Sequence, residues 1–526
     1  MNYVAIDNMR KKKVIINAIY SIITTLITAA LSFGIRKIFL TNFGVEYLGY
    51  ESLFANLFSL ISLSDLGFGT VITYALYKEV AQNNEDEIKK LMSTYRLFYR
   101  IVGLFVFIIG VLLLPFLDYF VDDIGKYDGK LVFTIYTFNL FLAISTYFLA
   151  YKRVLFTVNQ REYVCLKIET ISNIICSVLK VVIIVVFHSI IGYYLLGIVY
   201  NMAANLAIAI RFKKDYKYAS ETVRLDLAYL KKRNFFSDVK NNFICRLAET
   251  IYSGTDSIII AKMASIAEVG FYTNYIVLDS FVTRILMKLI KPLQAAVGNL
   301  IYQEDKNYVK KLFDIGEMIF FHLASFVACG YLLIMQPIIT LWLGEDYLLP
   351  ETCIWAFAIL AYIRWNDYYI SIFRGAWGDY NIDRNYYICS AVSNILVSIL
   401  LFHIWGLAGV VLGTAIAHVF LWLGRTTVVM KCIIQDKRVI YYKSQMKYAT
   451  LFIVELVACM IVNRIEADGV IYIIIRFCMI LIIPFVLSFA VYGRTNKYRN
   501  ATEYLYKFVI ETFHRLYVRE NKNIDQ

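Results

Sequence analysis

The sequence predicts an all-α, polytopic membrane protein of about 14 transmembrane helices, and three observations carry that prediction. Hydrophobic residues make up 60% of the chain and charged residues only 18%, more apolar surface than a soluble core of 526 residues would bury. Apolar runs of about 20 residues recur from Val14 to near Val491, and at a rise of 1.5 Å per residue each run spans a hydrocarbon layer of roughly 30 Å. Lys and Arg crowd into the segments that would lie on one side of the membrane.

Taken in order, the spans are expected at 14–40, 48–77, 93–117, 131–150, 166–187, 191–210, 236–261, 269–290, 312–335, 351–372, 387–404, 407–430, 447–463 and 470–492. Short breaks at His188-Ser189 and Trp405-Gly406 split the two longest apolar stretches. The longest polar break, RFKKDYKYASETVRLDLAYLKKR at 211–233, reads as a linker between two bundles. Leu48-Gly49-Tyr50 and Val269-Gly270-Phe271, each at an outer turn between two spans, form an echo of the kind an internal duplication leaves. In the tail, Tyr498, Leu505, Phe508, Val509, Thr512 and Leu516 share one helical face with Lys507, Glu511 and Arg515 off it, the pattern of a helix lying along the inner leaflet.

A net charge of +13 would suit nucleic acid, but its placement points to topology. With Met1 inside, inner segments hold 40 of the 53 Lys and Arg, and the outer loops hold Lys126, Lys130, Lys262 and Arg464. That asymmetry is the positive-inside pattern and predicts both termini in the cytoplasm. No nucleic-acid partner is expected, and the bilayer itself is the partner that composition demands.

The remaining cations fall inside the spans: Arg36, Lys37, Arg96, Arg100, Lys180, Arg246, Arg284, Arg364 and Arg476. A cation at mid-bilayer costs about 2.5–3.5 kcal/mol, so such residues face a cavity or a partner, or snorkel when near an end. The same spans hold Glu51, Asp65, Glu169, Glu249, Asp256, Asp279, Glu317, Asp367 and Glu455. Arg246 with Glu249 and Arg364 with Asp367 stand at i, i+3, where intrahelical neutralisation competes with a cavity role. Glu169, Asn173, Ser177 and Lys180 form a polar stripe. Arg284, Lys288 and Lys291 make a cationic ladder that an anion arriving from the inner leaflet would meet.

The nine Cys are scattered without paired spacing and the five His lie far apart, so neither a disulfide framework nor a metal site is expected. No cleavable signal peptide is expected, because Arg10-Lys11-Lys12-Lys13 leads into a full-length span. There is no Walker A sequence, no cofactor is expected, and the loops at 118–130 and 336–350 are too short for a catalytic site. An enzyme, such as a membrane-embedded glycan polymerase, is therefore not expected.

Two segments resemble the polysaccharide repeat-unit flippases, which carry lipid-linked oligosaccharide, of the multidrug/oligosaccharidyl-lipid/polysaccharide exporter superfamily. In FGIRKIFLTNFGVEYLGYESLFANLFSLISLSDLGFGTVITYALYKEVAQNNEDEIKKLMSTYRLFYR (33–100), an Arg before a Phe-Gly turn, the Leu-Gly-Tyr start of span two, Ser64–Thr70 and a Leu-Tyr-Lys-Glu tail follow in family order. The second segment is TDSIIIAKMASIAEVGFYTNY (255–275). The resemblance implies two six-helix bundles, 1–210 and 236–431, forming a V-shaped cleft and joined by a cytoplasmic linker at 211–235. It makes 432–492 two additional transmembrane helices and 493–526 a cytoplasmic tail. It implies a flippase that moves undecaprenyl-diphosphate-linked oligosaccharide repeat units to the outer leaflet of the bacterial cytoplasmic membrane by alternating access. Arg36 and Arg284 match the helices whose arginines engage the diphosphate in such proteins, with Arg246 a third and Lys288 below Arg284 on the ladder. The expected partners are the lipid-linked substrate, H+ or Na+ if the cycle is ion-coupled, and a glycan polymerase or glycosyltransferases. The alternative within the superfamily is a cation-coupled multidrug antiporter, which would use Asp65, Asp256 and Asp279 for ions.

Overall fold

The structure, a computed structural model, describes residues 3–62, 68–120, 129–221, 223, 235–377, 382–463 and 469–507, and among these residues there is no β-strand. Asp65, Lys126, Arg464, the linker residues 224–234 and the tail beyond 507 lie outside the described residues. The helices are α1 (Tyr3–Phe43), α2 (Val45–Ile61), α3 (Phe68–Ala81), α4 (Glu85–Leu113), α5 (Leu117–Phe120), α6 (Gly129–Ser145), α7 (Arg153–Val158), α8 (Glu162–Val185) and α9 (Ile190–Asp215). They continue with α10 (Phe235–Gly254), α11 (Asp256–Met263), α12 (Ile266–Gln303), α13 (Lys306–Trp342), α14 (Glu351–Trp377), α15 (Arg384–Trp405), α16 (Leu407–Val428), α17 (Arg438–Asn463) and α18 (Gly469–Tyr492). A last helix occupies 496–507.

Every expected span falls on one of these helices or on a broken pair. Ten of them are long and apolar enough to cross a membrane. The four spans outside that set are 48–77, 236–261, 269–290 and 351–372, and three of these carry Arg246, Glu249, Asp256, Asp279, Arg284, Arg364 and Asp367. The fourth, 48–77, is divided between α2 and α3. Polar residues lower the hydropathy of these helices; α14, with Arg364, Trp365, Asn366 and Asp367 all buried, is the extreme case. Both expected breaks are present: His188 and Gly406 adopt left-handed backbone conformations, at φ 44° and 56°, and the Ser189 hydroxyl caps α9 by accepting from the Gly192 N–H at 3.1 Å.

Packing divides the chain into two compact units, the first comprising Met1–Ile290, Ile339–Leu349 and Tyr387–Val410, the second Lys291–Ile338, Pro350–Tyr386 and Val411–Gln526. In the first, α1 lies on α8, α8 on α9, and α2 on α6, α10 and α11. The outer face of α8 shows why it suits lipid: Ile171, Ile174, Ile175, Val178, Leu179 and Val182 are exposed at helical spacing, while the polar stripe faces inward. The glycines of the sequence echo touch each other's neighbours. A Cβ on Gly49 would stand 2.0 Å from the Ile266 carbonyl oxygen, and one on Gly270 would stand 2.3 Å from that of Val45. The starts of α2 and α12 thus meet backbone to backbone, which only glycine permits.

Several buried charges of the second unit are paired. Arg374 grips Asp383 with two hydrogen bonds of 2.7 and 2.6 Å. Asp367 accepts from Arg425 Nη1 of α16 at 2.5 Å, so this carboxylate is held across helices as well as facing the i, i+3 neighbour that its own helix offers. Arg476 of α18 donates to the Leu333 carbonyl at 2.8 Å. Pro337 lies inside α13, four residues after Leu333, and has no N–H to give that carbonyl. The guanidinium supplies the missing donor.

Candidate functional site

The first unit contains a cavity of about 300 Å³ built from the helices that carry the intramembrane charges. Its walls are Ser32, Ile35, Arg36 and Phe39 of α1, Leu48 and Glu51 of α2, Asn173, Cys176, Ser177 and Lys180 of α8, Tyr193 and Tyr200 of α9, and Val277 and Arg284 of α12. Three members of the expected α8 stripe, Asn173, Ser177 and Lys180, enter this wall. Its other member, Glu169, is neutralised by Arg153 at 2.5 Å.

Arg36 Nε donates to Asn274 Oδ1 at 2.6 Å, while its Nη2 is buried without a hydrogen-bond partner among the described residues. Glu51 Oε2 and Asn274 Nδ2 are in the same condition. Lys180 Nζ sits 4.1 Å from the centroid of the Tyr193 ring, whose electron-rich face steadies the ammonium. Three cations against one carboxylate leave the wall two charges positive. A chamber with unsatisfied donors, excess positive charge and aromatic surface is suited to an anionic group bearing polar, ring-shaped substituents.

The structure brings Arg36 and Arg284 to one cavity. Arg284 is exposed, with Nε donating to the Ser280 carbonyl at 3.1 Å. Lys288 does not line the cavity; its ammonium donates to the Ser21 carbonyl oxygen and to Thr25 Oγ1 of α1. These contacts and the Arg36 to Asn274 bond fix α1 and α12 as antiparallel neighbours, with Lys288 about 22 Å along α1 from Arg36. Arg246 is half exposed and paired with Glu249 at 3.1 Å on its own helix, the neutralisation that the i, i+3 spacing offered, and it does not line the cavity.

Of the acids, Asp256 is buried at the first turn of α11, where it accepts from the Tyr272 hydroxyl at 2.9 Å. Beside it Thr255 Oγ1 donates to Asn394 Oδ1 at 2.7 Å and Ser257 Oγ accepts from Asn56 at 2.8 Å. Asp279 is buried on α12, and Asp65 lies outside the described residues. Asn274, Tyr193 and Tyr200 were not singled out by sequence reasoning. Asn274 carries the one available signal, a lone amide inside an expected span.

In its helical architecture the chain shares the fold of solved transporters, among them members of the multidrug/oligosaccharidyl-lipid/polysaccharide (MOP) superfamily. It is similar to the lipid II flippase MurJ in an inward closed conformation, with TM-score 0.63 and 17% identity over 90% of this chain and 99% of that one. An inward-facing multidrug resistance MATE family transporter of the MOP superfamily follows at TM-score 0.59 and 15% identity, covering 79% and 98% of the two chains. A mutant of the MATE transporter VcmN from Vibrio cholerae gives 0.56 and 14%, covering 81% and 98%. No family model matches the chain, and no curated protein does. The resemblance seen in the sequence thus holds at the level of the superfamily fold.

Proposed function

We propose that the chain is a flippase for lipid-linked oligosaccharide, carrying a diphosphate-bearing repeat unit from the inner to the outer leaflet of the bacterial cytoplasmic membrane by alternating access. The observation that carries this reading is the positively charged cavity, where Arg36 and Arg284 stand on neighbouring helices with Lys180 opposite. A hydrated diphosphate cannot cross hydrocarbon unaided, whereas its polyprenyl tail can remain in lipid, so a polar chamber inside the bundle is the device needed. Guanidinium offers diphosphate paired, charge-assisted hydrogen bonds, and tyrosine rings offer sugars a flat apolar face. The similarity to a lipid II flippase supports the same reading. Lys288, bonded to α1, serves in this scheme at the mouth of the route rather than in the chamber. The scheme includes, as part of the proposal, the two six-helix bundles at 1–210 and 236–431, a cytoplasmic linker between them and cytoplasmic termini.

The test is export of glycan in cells that depend on this protein. Arg36→Ala and Arg284→Ala are expected to lower export about ten- to hundredfold and to accumulate lipid-linked oligosaccharide on the inner leaflet. Arg36→Lys retains charge without the fork and is expected to fall between wild type and alanine. Expression is measured in parallel, and Arg36→Ala combined with Glu51→Gln removes the carboxylate that the single change would strand. Wild-type export by well-expressed alanine variants would overturn the diphosphate assignment.

The fold shared with MATE transporters favours one second reading, a cation-coupled multidrug antiporter using the buried carboxylates Asp256 and Asp279 together with Asp65. The same experiment separates the two. Unchanged glycan export in cells that lack the protein, with drug efflux lost in Asp256→Asn, would establish the antiporter.

A further inference from the structure

We propose that the cleft where α18 turns into the helix at 496–507 binds an anionic phospholipid, with the phosphate between Arg494 and Arg499 and an acyl chain along Phe485 and Phe489. The cleft measures about 760 Å³ and these four residues line it together with Gly493 and Tyr498. It belongs entirely to the second unit and is independent of the cavity assigned to the flippase reading.

The cleft is held open by a tight turn and an anchored helix. A Cβ on Gly493 would lie 2.4 Å from the Phe489 carbonyl oxygen, so glycine is needed where the membrane-spanning helix stops. Thr495 Oγ1 then accepts from the Tyr498 N–H at 3.3 Å and starts the next helix. That helix is fixed by Lys497, whose ammonium donates to buried Glu317 Oε2 and lies 5.5 Å from the Tyr448 ring centroid. Tyr498 is buried against Phe489, with ring centroids 6.3 Å apart. Lys497 is thereby committed to the protein, while Arg494 and Arg499 remain exposed and have no carboxylate partner among the described residues.

Two guanidiniums without a carboxylate partner among the described residues line the polar half of the cleft, an arrangement that attracts phosphate. The other half is apolar: Phe485 and Phe489 are 59% and 62% exposed on a helix that crosses the membrane. A soluble phosphate would leave those rings bare, and a zwitterionic headgroup would bring its own ammonium against two arginines. An anionic phospholipid satisfies both halves.

The experiment measures binding of dioleoyl phosphatidylglycerol to the full chain in detergent, with dioleoyl phosphatidylcholine and inorganic phosphate as separate arms. Arg494→Gln with Arg499→Gln is expected to weaken phosphatidylglycerol binding about 30-fold, about fivefold per arginine. Phosphatidylcholine is expected to bind more weakly than phosphatidylglycerol and to ignore the substitutions, and inorganic phosphate is expected not to compete. The paired lysine variant, Arg494→Lys with Arg499→Lys, is expected to fold and keep most of the binding. Wild-type affinity in the glutamine variant, equal binding of both lipids, displacement by phosphate, or a lysine variant as weak as the glutamine one would each overturn the proposal.

Discussion

Gly49 and Gly270 exchange contacts in which each glycine faces a carbonyl oxygen of the other's helix start, Ile266 for one and Val45 for the other. Both obstacles are backbone, which yields less readily than a side-chain tip. Gly49→Ala and Gly270→Ala are each expected to destabilise the protein by about 1–3 kcal/mol, seen as a lowered thermal midpoint of the purified variants. Midpoints equal to wild type would show that the helix starts are farther apart in the membrane. The same scale shows how far the cavity was legible. Arg36, Lys180 and Arg284 stand out because charge inside an apolar run is costly and therefore conspicuous. Tyr193 and Tyr200 do not, because tyrosine is abundant throughout the chain and its ring is compatible with core, interface and cavity alike. Arg246 was as conspicuous as Arg36, and only geometry separates the paired residue from the cavity residue.

Helices α13 and α18 are joined by a defect and its repair. Pro337 deprives the Leu333 carbonyl of its helical donor, and Arg476 provides one, with Nη2 also reaching the Asn463 carbonyl at 3.3 Å. Arg476→Met keeps much of the packing volume and leaves the carbonyl unsatisfied, which is expected to cost about 1–3 kcal/mol in an unfolding titration. Adding Pro337→Ala restores a backbone donor within α13, so the double variant is expected to recover most of the loss; a strictly additive cycle would contradict the link. Element boundaries were largely readable because apolar length is set by the bilayer, and the breaks at His188 and Gly406 announce themselves by residue type. Tertiary pairing was not readable. Asp367 had a neighbour at i−3 in Arg364, yet it also takes Arg425 from 58 residues away, and no local pattern encodes that meeting.

For the molecule as a whole, the distribution of 40 basic residues on one side against four on the other fixes an expected topology. A cysteine-labelling scan is expected to find Met1, Arg224 and Gln526 on the cytoplasmic side and Lys126 and Tyr347 outside. Labelling of Gln526 from outside would reject an even number of spans. Finally, α12 is joined unevenly along its length to α1 and to the start of α2 that follows it. Near the start of α12, Gly270 presses on the Val45 carbonyl of α2, two residues past the end of α1, a backbone contact that tolerates pivoting; about 27 Å further along α12, Lys288 holds Ser21 and Thr25 of α1 by hydrogen bonds alone. A rotation of roughly 10° about the glycine fulcrum would carry the far end of such a lever arm about 5 Å, well past hydrogen-bond reach. In any hinge-like opening of α12 away from α1, the lysine clasp is the first contact to part, and the glycine bearing against α2 is the last.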